Sequence, residues 1–147
     1  MHTIKTDLKR ISFHDAQLIK VKRVNGKTLA EFDWAFLNNY AELEIKTPII
    51  LGKCYLIIDG IKNEEFRLYS DSKYHVEKIP ENIGEYWEEI QNTEIDDNNR
   101  KIKLDGMYVE NKERTFWTEW QFEFDNAELR WEKHITEKEW ESGMMPE

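Results

Sequence analysis

Residues 16–46 decide the fold class, and they read AQLIKVKRVNGKTLAEFDWAFLNNYAELEIK. Asn25 and Gly26 separate two runs in which apolar and polar residues alternate. Asn-Gly is the preferred pair for a two-residue hairpin turn, because both central residues take a positive φ. A turn there pairs Val21 with Ala30, so the apolar side chains of both strands share one face. The stretch therefore predicts a β-hairpin with one apolar side.

A second turn is predicted at Asn38 and Asn39. A two-residue turn at this point pairs Trp34 with Leu43, which again matches apolar residues across neighbouring strands. Both turns put the apolar residues on the same face, and this agreement supports the register. Residues 16–46 are therefore expected to form three antiparallel strands with one apolar and one charged face.

Further strand signals follow along the chain. Cys54–Asp59 is predicted to be a strand from its Tyr, Leu and Ile content. Asp105 and Gly106 are expected to form a tight turn between strands 101–104 and 107–110. Counting all such runs gives roughly eight to ten strands, connected mostly in sequence order. The expected fold class is mainly β, as an antiparallel meander barrel or a two-sheet sandwich.

One short helix is predicted at residues 81–91. Tyr86, Trp87 and Ile90 recur there at helical spacing, and Pro80 precedes the segment. A short amphipathic helix of this kind would cover the mouth of a barrel or an open sheet edge.

Residues 1–147 are expected to form a single domain, because this length falls within the usual range for one domain. Seven Phe, six Tyr and six Trp supply large apolar side chains for a core. Residues 137–147 lose the alternating pattern, so a frayed tail is expected there. The single cysteine, Cys54, leaves no internal disulfide, and the first residues lack an apolar signal segment. A cytoplasmic location is therefore expected.

The net charge of −9 restricts the classes of partner. Nucleic acids and anionic membranes bind clustered Lys and Arg, so neither is expected as a partner. A basic protein is electrostatically favoured. A monomer and a dimer paired through sheet edges both remain open.

The last predicted hairpin, with its turn at residues 125–126, carries the candidate binding surface. Its register puts Glu119 opposite Glu132 on the outer face. It puts Glu123 opposite Glu128 in the same way. Like charges directly opposite each other are unfavourable. A basic partner that docks on this face would compensate these charges and so explain their presence. The predicted partner-binding residues are Glu119, Glu123, Glu128, Glu132, Trp117 and Arg130.

A small-ligand site is the alternative. The same hairpin pairs Trp120 with Trp131, and Trp34 lies on the apolar face of the first strands. In a barrel, these three tryptophans would line an aromatic interior with the helix at residues 81–91 as its lid. A filled core made by the same side chains is the competing interpretation.

No catalytic or metal constellation is expected, and no cofactor. His14 and Asp15 are adjacent, but neighbours on an extended chain point to opposite faces, so a structural role is predicted for this pair. The four histidines show no metal-ligand spacing with Cys54, which is expected to be a small core residue. Paired carboxylates on an exposed strand lack the cleft that would raise a carboxyl pKa for glycoside hydrolysis.

The beginning of the chain, Phe-His-Asp-Ala-Gln-Leu at residues 13–18, leads into a strand, the Asn-Gly turn and Glu-Phe-Asp at residues 31–33. This resembles the opening of several small bacterial β-rich families of unknown function, some of which are immunity proteins of polymorphic toxin systems. The resemblance extends to about residue 35. It implies a cytoplasmic bacterial domain that neutralises a toxin, and it carries over no site residue. The expected function is thus an acidic, non-enzymatic protein-binding domain that occludes its partner sterically and electrostatically.

Overall fold

The computed structural model describes residues 1–70, 73–80, 83, 87–111 and 114–146. Within them the chain is mainly β, and every strand pair is antiparallel. The strands form three open sheets rather than a closed barrel. The fold class predicted from the sequence is confirmed, as an arrangement consistent with a β-sandwich.

The described residues contain fourteen strands, two short 3-10 turns and one α-helix. The strands are β1 (His2–Ile4), β2 (Ile11–Ser12), β3 (Leu18–Val24), β4 (Lys27–Phe32), β5 (Ala35–Leu37), β6 (Ile49–Leu51), β7 (Cys54–Asp59), β8 (Lys62–Ser70), β9 (Lys73–Glu77), β10 (Trp87–Asp96), β11 (Lys101–Asn111), β12 (Arg114–Glu123), β13 (Asn126–Trp131) and β14 (His134–Thr136). The 3-10 turns are Leu8–Arg10 and Ala41–Leu43, and the helix is α1 (Glu137–Glu141). None of the helices described is long and apolar enough to cross a membrane.

Sheet 1 has the order β1-β13-β7-β4-β3, and sheet 2 has the order β10-β11-β12-β8-β9. Sheet 3, with the order β14-β6-β5-β2, continues sheet 1. Three neighbouring strands of sheet 1 each pass into a strand of sheet 3 after a break of two residues, at positions 33–34, 52–53 and 132–133. We call this place, where three strands bend together, the corner. The main-chain N–H of Gly52 still donates to the Lys133 carbonyl oxygen there, at 2.9 Å.

One buried cluster joins the sheets. Sheet 2 contributes the fully buried Trp87, Trp120 and Phe66, whose rings contact one another, with Trp87 between the other two. Sheet 1 contributes Phe32 and Trp131. The strands are therefore stabilised because their alternating apolar residues are all buried in one core.

The first predicted hairpin is confirmed, with one local difference. β3 and β4 meet at the Asn25-Gly26 turn, where both residues have positive φ, and Val21 pairs with Ala30. An irregularity near Ile19 then shifts the register by one residue. Such a bulge turns one side chain outward, and Ile19 is accordingly exposed.

The predicted third strand is wrong. Residues 41–43 form a 3-10 turn, and the second neighbour of β4 is β7. The Arg10 guanidinium reaches this turn and donates to both carboxylate oxygens of Glu42, at 2.8 and 2.5 Å. It also donates to the side-chain oxygen of Asn39, at 3.2 Å. A buried arginine thus holds the chain where the sequence indicates a hairpin turn.

The predicted helix at residues 81–91 is also wrong over residues 87–91, which belong to a strand. Trp87 begins strand β10, and a register shift follows it before Glu89. A bulge lets two residues three positions apart face the same side, and Trp87 and Ile90 are both fully buried. The three-residue spacing that predicted a helix therefore belongs to a bulged strand. Residues 81, 82 and 84–86 of this prediction lie outside the described residues.

The turn predicted at Asp105-Gly106 does not form, because β11 runs straight through it. Gly106 pairs with Ile90 on one side and Thr118 on the other. A Cβ atom there would collide with the Glu89 carbonyl oxygen and lie 2.8 Å from the Trp87 indole nitrogen. Glycine at this position permits close strand approach rather than a turn.

The segment 137–147, for which a frayed tail is predicted, begins with helix α1. Thr136 caps it, accepting a hydrogen bond from the Glu139 main-chain N–H at 3.1 Å, while the Glu139 carboxylate accepts one from the Thr136 N–H at 3.0 Å. This reciprocal capping box was not identified in the sequence. The chain remains described as far as Pro146, whose carbonyl oxygen lies against Gly52.

Candidate functional site

The last hairpin predicted from the sequence, with its turn at residues 125–126, does not form. β12 lies between β11 and β8 in sheet 2, whereas β13 lies between β7 and β1 in sheet 1. The chain crosses between the sheets at Asp125, whose main-chain N–H donates to the Asp59 carbonyl oxygen at 2.9 Å. Each of these apolar strands gains two neighbours in this way, where a hairpin would supply one. More apolar surface is buried as a result.

The six predicted partner-binding residues are consequently separated. Trp117, Glu119 and Glu123 lie in sheet 2, Glu128 and Arg130 lie in sheet 1, and Glu132 lies at the corner. The predicted oppositions of Glu119 with Glu132 and of Glu123 with Glu128 are therefore wrong.

Most of these carboxylates have polar neighbours of their own. Glu119 is buried and lies 3.6 Å from the Lys103 ammonium group. Glu128 pairs with Arg130 at 3.0 Å, and Glu123 accepts a hydrogen bond from the Asn63 side chain. Their charges are thus partly compensated within the fold, and the oppositions predicted from the sequence give no argument for a partner on this face.

The three tryptophans of the alternative site are also divided. Trp120 is fully buried and donates its indole N–H to Glu64 at 2.7 Å. Trp131 is fully buried and donates to His134 Nδ1 at 3.0 Å. Both rings belong to the packed core, so they do not line a ligand-binding interior of the kind predicted. Trp34 alone borders open space, in a surface cleft at the corner.

The outer face of sheet 2 carries a line of large side chains that crosses four strands. Met107 on β11 pairs with Trp117 on β12, which pairs with Tyr69 on β8, which pairs with Tyr74 on β9. Met107, Tyr69 and Tyr74 are 38%, 43% and 42% exposed, and the two tyrosine rings lie 5.2 Å apart. We call these four residues the aromatic row.

Carboxylates border the aromatic row. The adjacent line of paired residues contains Asp105 and Glu119, and Glu89 lies opposite Met107 at the β10 end. Burial raises the pKa of Tyr74, the charges of Glu119 and Asp105 raise it further, and Lys103 opposes them. Arg67 lies in the same line, as the partner of Glu119 on β8. The row is thus an apolar and aromatic surface whose border holds three carboxylates and one arginine.

Of these residues, the sequence analysis identified only Trp117 and Glu119. The sequence predicts Met107 at the start of a short hairpin strand, and that hairpin does not form. One available signal is that Tyr69 and Tyr74 lie symmetrically about positions 71–72, as facing residues of a hairpin do. The four-strand register itself depends on long-range pairing.

The Phe-His-Asp-Ala motif at residues 13–16 docks on β10. The Asp15 N–H donates to the Ile90 carbonyl oxygen at 2.8 Å, and the Ile90 N–H donates to the Ala16 carbonyl oxygen at 2.9 Å. His14 Nδ1 donates to the Gln91 carbonyl oxygen at 2.6 Å. These bonds support the predicted structural role. The two side chains do not point apart, however, because Asp15 has a positive φ that brings its carboxylate to 3.4 Å from His14 Nε2.

Cys54 is fully buried, as predicted, and burial raises the pKa of its thiol far above the usual value. Among the residues that the structure describes, no three His, Cys, Asp or Glu side chains are grouped to hold a metal ion. No protein-family model, curated protein or solved structure matches the chain.

Proposed function

We propose that this chain is an acidic, non-enzymatic domain that binds a basic protein through the aromatic row. The observation that carries the proposal is the line of three exposed side chains, Met107, Tyr69 and Tyr74, with the half-buried Trp117 between them, across four strands. Side chains of this kind fill the centres of protein interfaces, where Trp, Tyr and Met are enriched.

The shape of the surface favours a protein over a small molecule. Paired residues on four strands spaced about 4.8 Å apart span roughly 15 Å, which suits an extended interface better than a pocket. The row is also held rigidly by the ladders of sheet 2, so little side-chain and loop ordering is needed on binding.

The charge of the border selects the partner. Glu89, Asp105 and Glu119 lie beside the row, and the whole chain carries a net charge of −9. Basic side chains approaching the row would be attracted by this field, which mainly speeds association and is screened by salt.

Toxin neutralisation is the specific form that we propose, with the domain covering its partner's active surface in the bacterial cytoplasm. The resemblance of the first residues to immunity-type families supports this form, and so does the acidic charge, since many toxin domains are basic nucleases. The binding surface comes from residues 69–117, outside the segment that carries the resemblance.

The test compares three tagged proteins: the wild type, Trp117→Ala and Trp140→Ala. Trp140 is an exposed tryptophan on α1, away from sheet 2, and serves as the matched control. Each protein is incubated with lysate from the native source at low and high salt, and stoichiometric partners are quantified by mass spectrometry. The partner is then purified, and its affinity for each variant is measured by calorimetry.

We expect one basic protein to bind the wild type and Trp140→Ala, more strongly at low salt. Trp117→Ala should weaken its binding about 30-fold, because central interface tryptophans contribute about 2 kcal/mol or more. Thermal melting of each variant controls for folding. Equal affinity of the folded Trp117→Ala protein, or no stoichiometric basic partner at either salt concentration, would refute the proposal.

A further inference from the structure

The corner holds a surface cleft of about 1000 Å³ that is separate from the aromatic row. All three of the two-residue breaks between sheets 1 and 3 line it, through residues 33–34, 52–53 and 132–133. Helix α1 and the segment that follows it form another wall, through Trp140, Met145 and Pro146. The cleft is therefore built by the bend itself, which brings residues distant in sequence around one space.

Two stacked tryptophans line this cleft, and we call the pair the aromatic platform. The indole rings of Trp34 and Trp140 are parallel within 9°, and their centroids lie 6.0 Å apart. Trp34 is oriented by a hydrogen bond from its indole N–H to the Asp15 carbonyl oxygen, at 3.2 Å. Trp140 lies on a helix whose first turn is held by the Thr136–Glu139 capping box. Both rings are thus positioned before any ligand arrives.

Charged groups of both signs surround the platform. The cleft is lined by the acidic residues Asp15, Asp33 and Glu132 and by the basic residues Lys53 and Lys133. Lys53 also pairs with Glu31 at 3.5 Å, and the Asp15 carboxylate lies 3.4 Å from His14 Nε2. Three negative charges against two positive ones leave the site close to neutral. An anion or a cation would therefore meet nearly as much repulsion as attraction, and a wholly apolar ligand would leave charged groups desolvated without partners.

We propose that the corner cleft binds a neutral carbohydrate. The apolar C–H face of a pyranose ring packs on an indole face, and its hydroxyl groups both donate and accept hydrogen bonds. Asp33 and Glu132 accept from such hydroxyl groups, and Lys133 donates to them. The volume lies at the upper end of the range for ligand pockets, so the site accommodates more than one sugar ring.

Gly52 offers a way to change the cleft without removing a ligand-binding side chain. A Cβ atom at this position would lie 2.5 Å from the Pro146 carbonyl oxygen. Gly52→Ala should therefore push the segment containing Met145 and Pro146 outward and widen the cleft. We expect saccharide binding to weaken with Trp34 and Trp140 both still present.

The experiment titrates the purified protein with cellohexaose, chitohexaose and maltohexaose as neutral probes and with choline chloride as a cationic probe, followed by calorimetry. We expect at least one hexasaccharide to bind, with an affinity that changes less than about twofold between low and high salt, since a neutral ligand has no charge to screen. Trp140→Ala should lower that affinity about tenfold, and Trp140→Phe should lower it less.

Trp117→Ala is the matched control, because Trp117 lies on the other large sheet and should leave saccharide affinity unchanged. Failure of all three hexasaccharides to bind would overturn the proposal, and so would binding of choline in their place. Equal losses in Trp117→Ala and Trp140→Ala would also overturn it. These outcomes are independent of the protein-binding proposal, which depends on Trp117 and on an acidic border.

Discussion

Glu64 on β8 connects the two large sheets through its carboxylate. It accepts hydrogen bonds from the buried Trp120 indole N–H at 2.7 Å and from two Arg23 guanidinium nitrogens at 2.6 and 2.7 Å. Arg23 lies on β3 of sheet 1. Glu64→Ala would leave the indole N–H without an acceptor in the core, so we expect the free energy of unfolding to fall by about 1–3 kcal/mol. Urea denaturation measures this loss.

Glu94→Ala is the control for that experiment. Glu94 forms an ion pair with Lys103 at 3.3 Å, but its side chain is largely exposed, so its removal should leave the urea midpoint nearly unchanged. Similar losses of unfolding free energy in both variants would show that the hydrogen bond from the Trp120 indole to Glu64 does not stabilise the fold.

His134 makes stability depend on pH. Burial lowers the pKa of His134 below its usual value of 6.5, the nearby His2 lowers it further, and Glu139 opposes them. The Trp131 indole also donates to His134 Nδ1, which must be unprotonated to accept. As the pH falls below about 6.5, the unfolded chain takes up a proton that the folded chain binds less readily, so stability decreases.

We therefore expect the wild type to lose stability between about pH 7.5 and pH 5.5, and His134→Gln to lose less of it. Gln retains an oxygen that accepts from the Trp131 indole. Urea midpoints across this pH range give the comparison. If stability depends on pH identically in the wild type and His134→Gln, His134 is not the source of the pH dependence.

Strand β11 depends on glycine at one crossing point. Gly106→Ala would place a methyl group against the Glu89 carbonyl oxygen and the Trp87 indole. The strands would have to separate, so we expect unfolding to become easier by about 1–3 kcal/mol, as in other overpacked cores. Denaturant unfolding tests this, and near-UV circular dichroism reports on the Trp87 environment. An unchanged urea midpoint would mean that β10 moves to accommodate the added methyl group without a loss of stability.

Bulges explain why two elements differ from their predictions. At Ile19 a register shift turns an apolar residue outward, and after Trp87 another makes a strand resemble a helix in its spacing. Hydrophobic periodicity assumes a regular repeat, so a single extra residue moves the signal from one period to another.

The whole molecule should unfold as one unit. The buried cluster runs through all three sheets and contains Trp87, Trp120 and Trp131. Separating the sheets would expose these rings together, which favours a single cooperative transition for a chain of this length. Tryptophan fluorescence and far-UV circular dichroism should therefore give coincident urea curves. Two separate transitions would show that the sheets fold independently.

The sequence by itself determined the β class, the Asn25-Gly26 hairpin, strand β7 and the burial of Cys54, because these depend on local turn chemistry and alternating side chains. The tertiary structure alone decided which strands became neighbours. It divided β12 and β13 between two sheets and assembled both the aromatic row and the corner cleft. Each strand offers two edges and one apolar face to many possible partners, and only the competition to bury all those faces in one core selects among them.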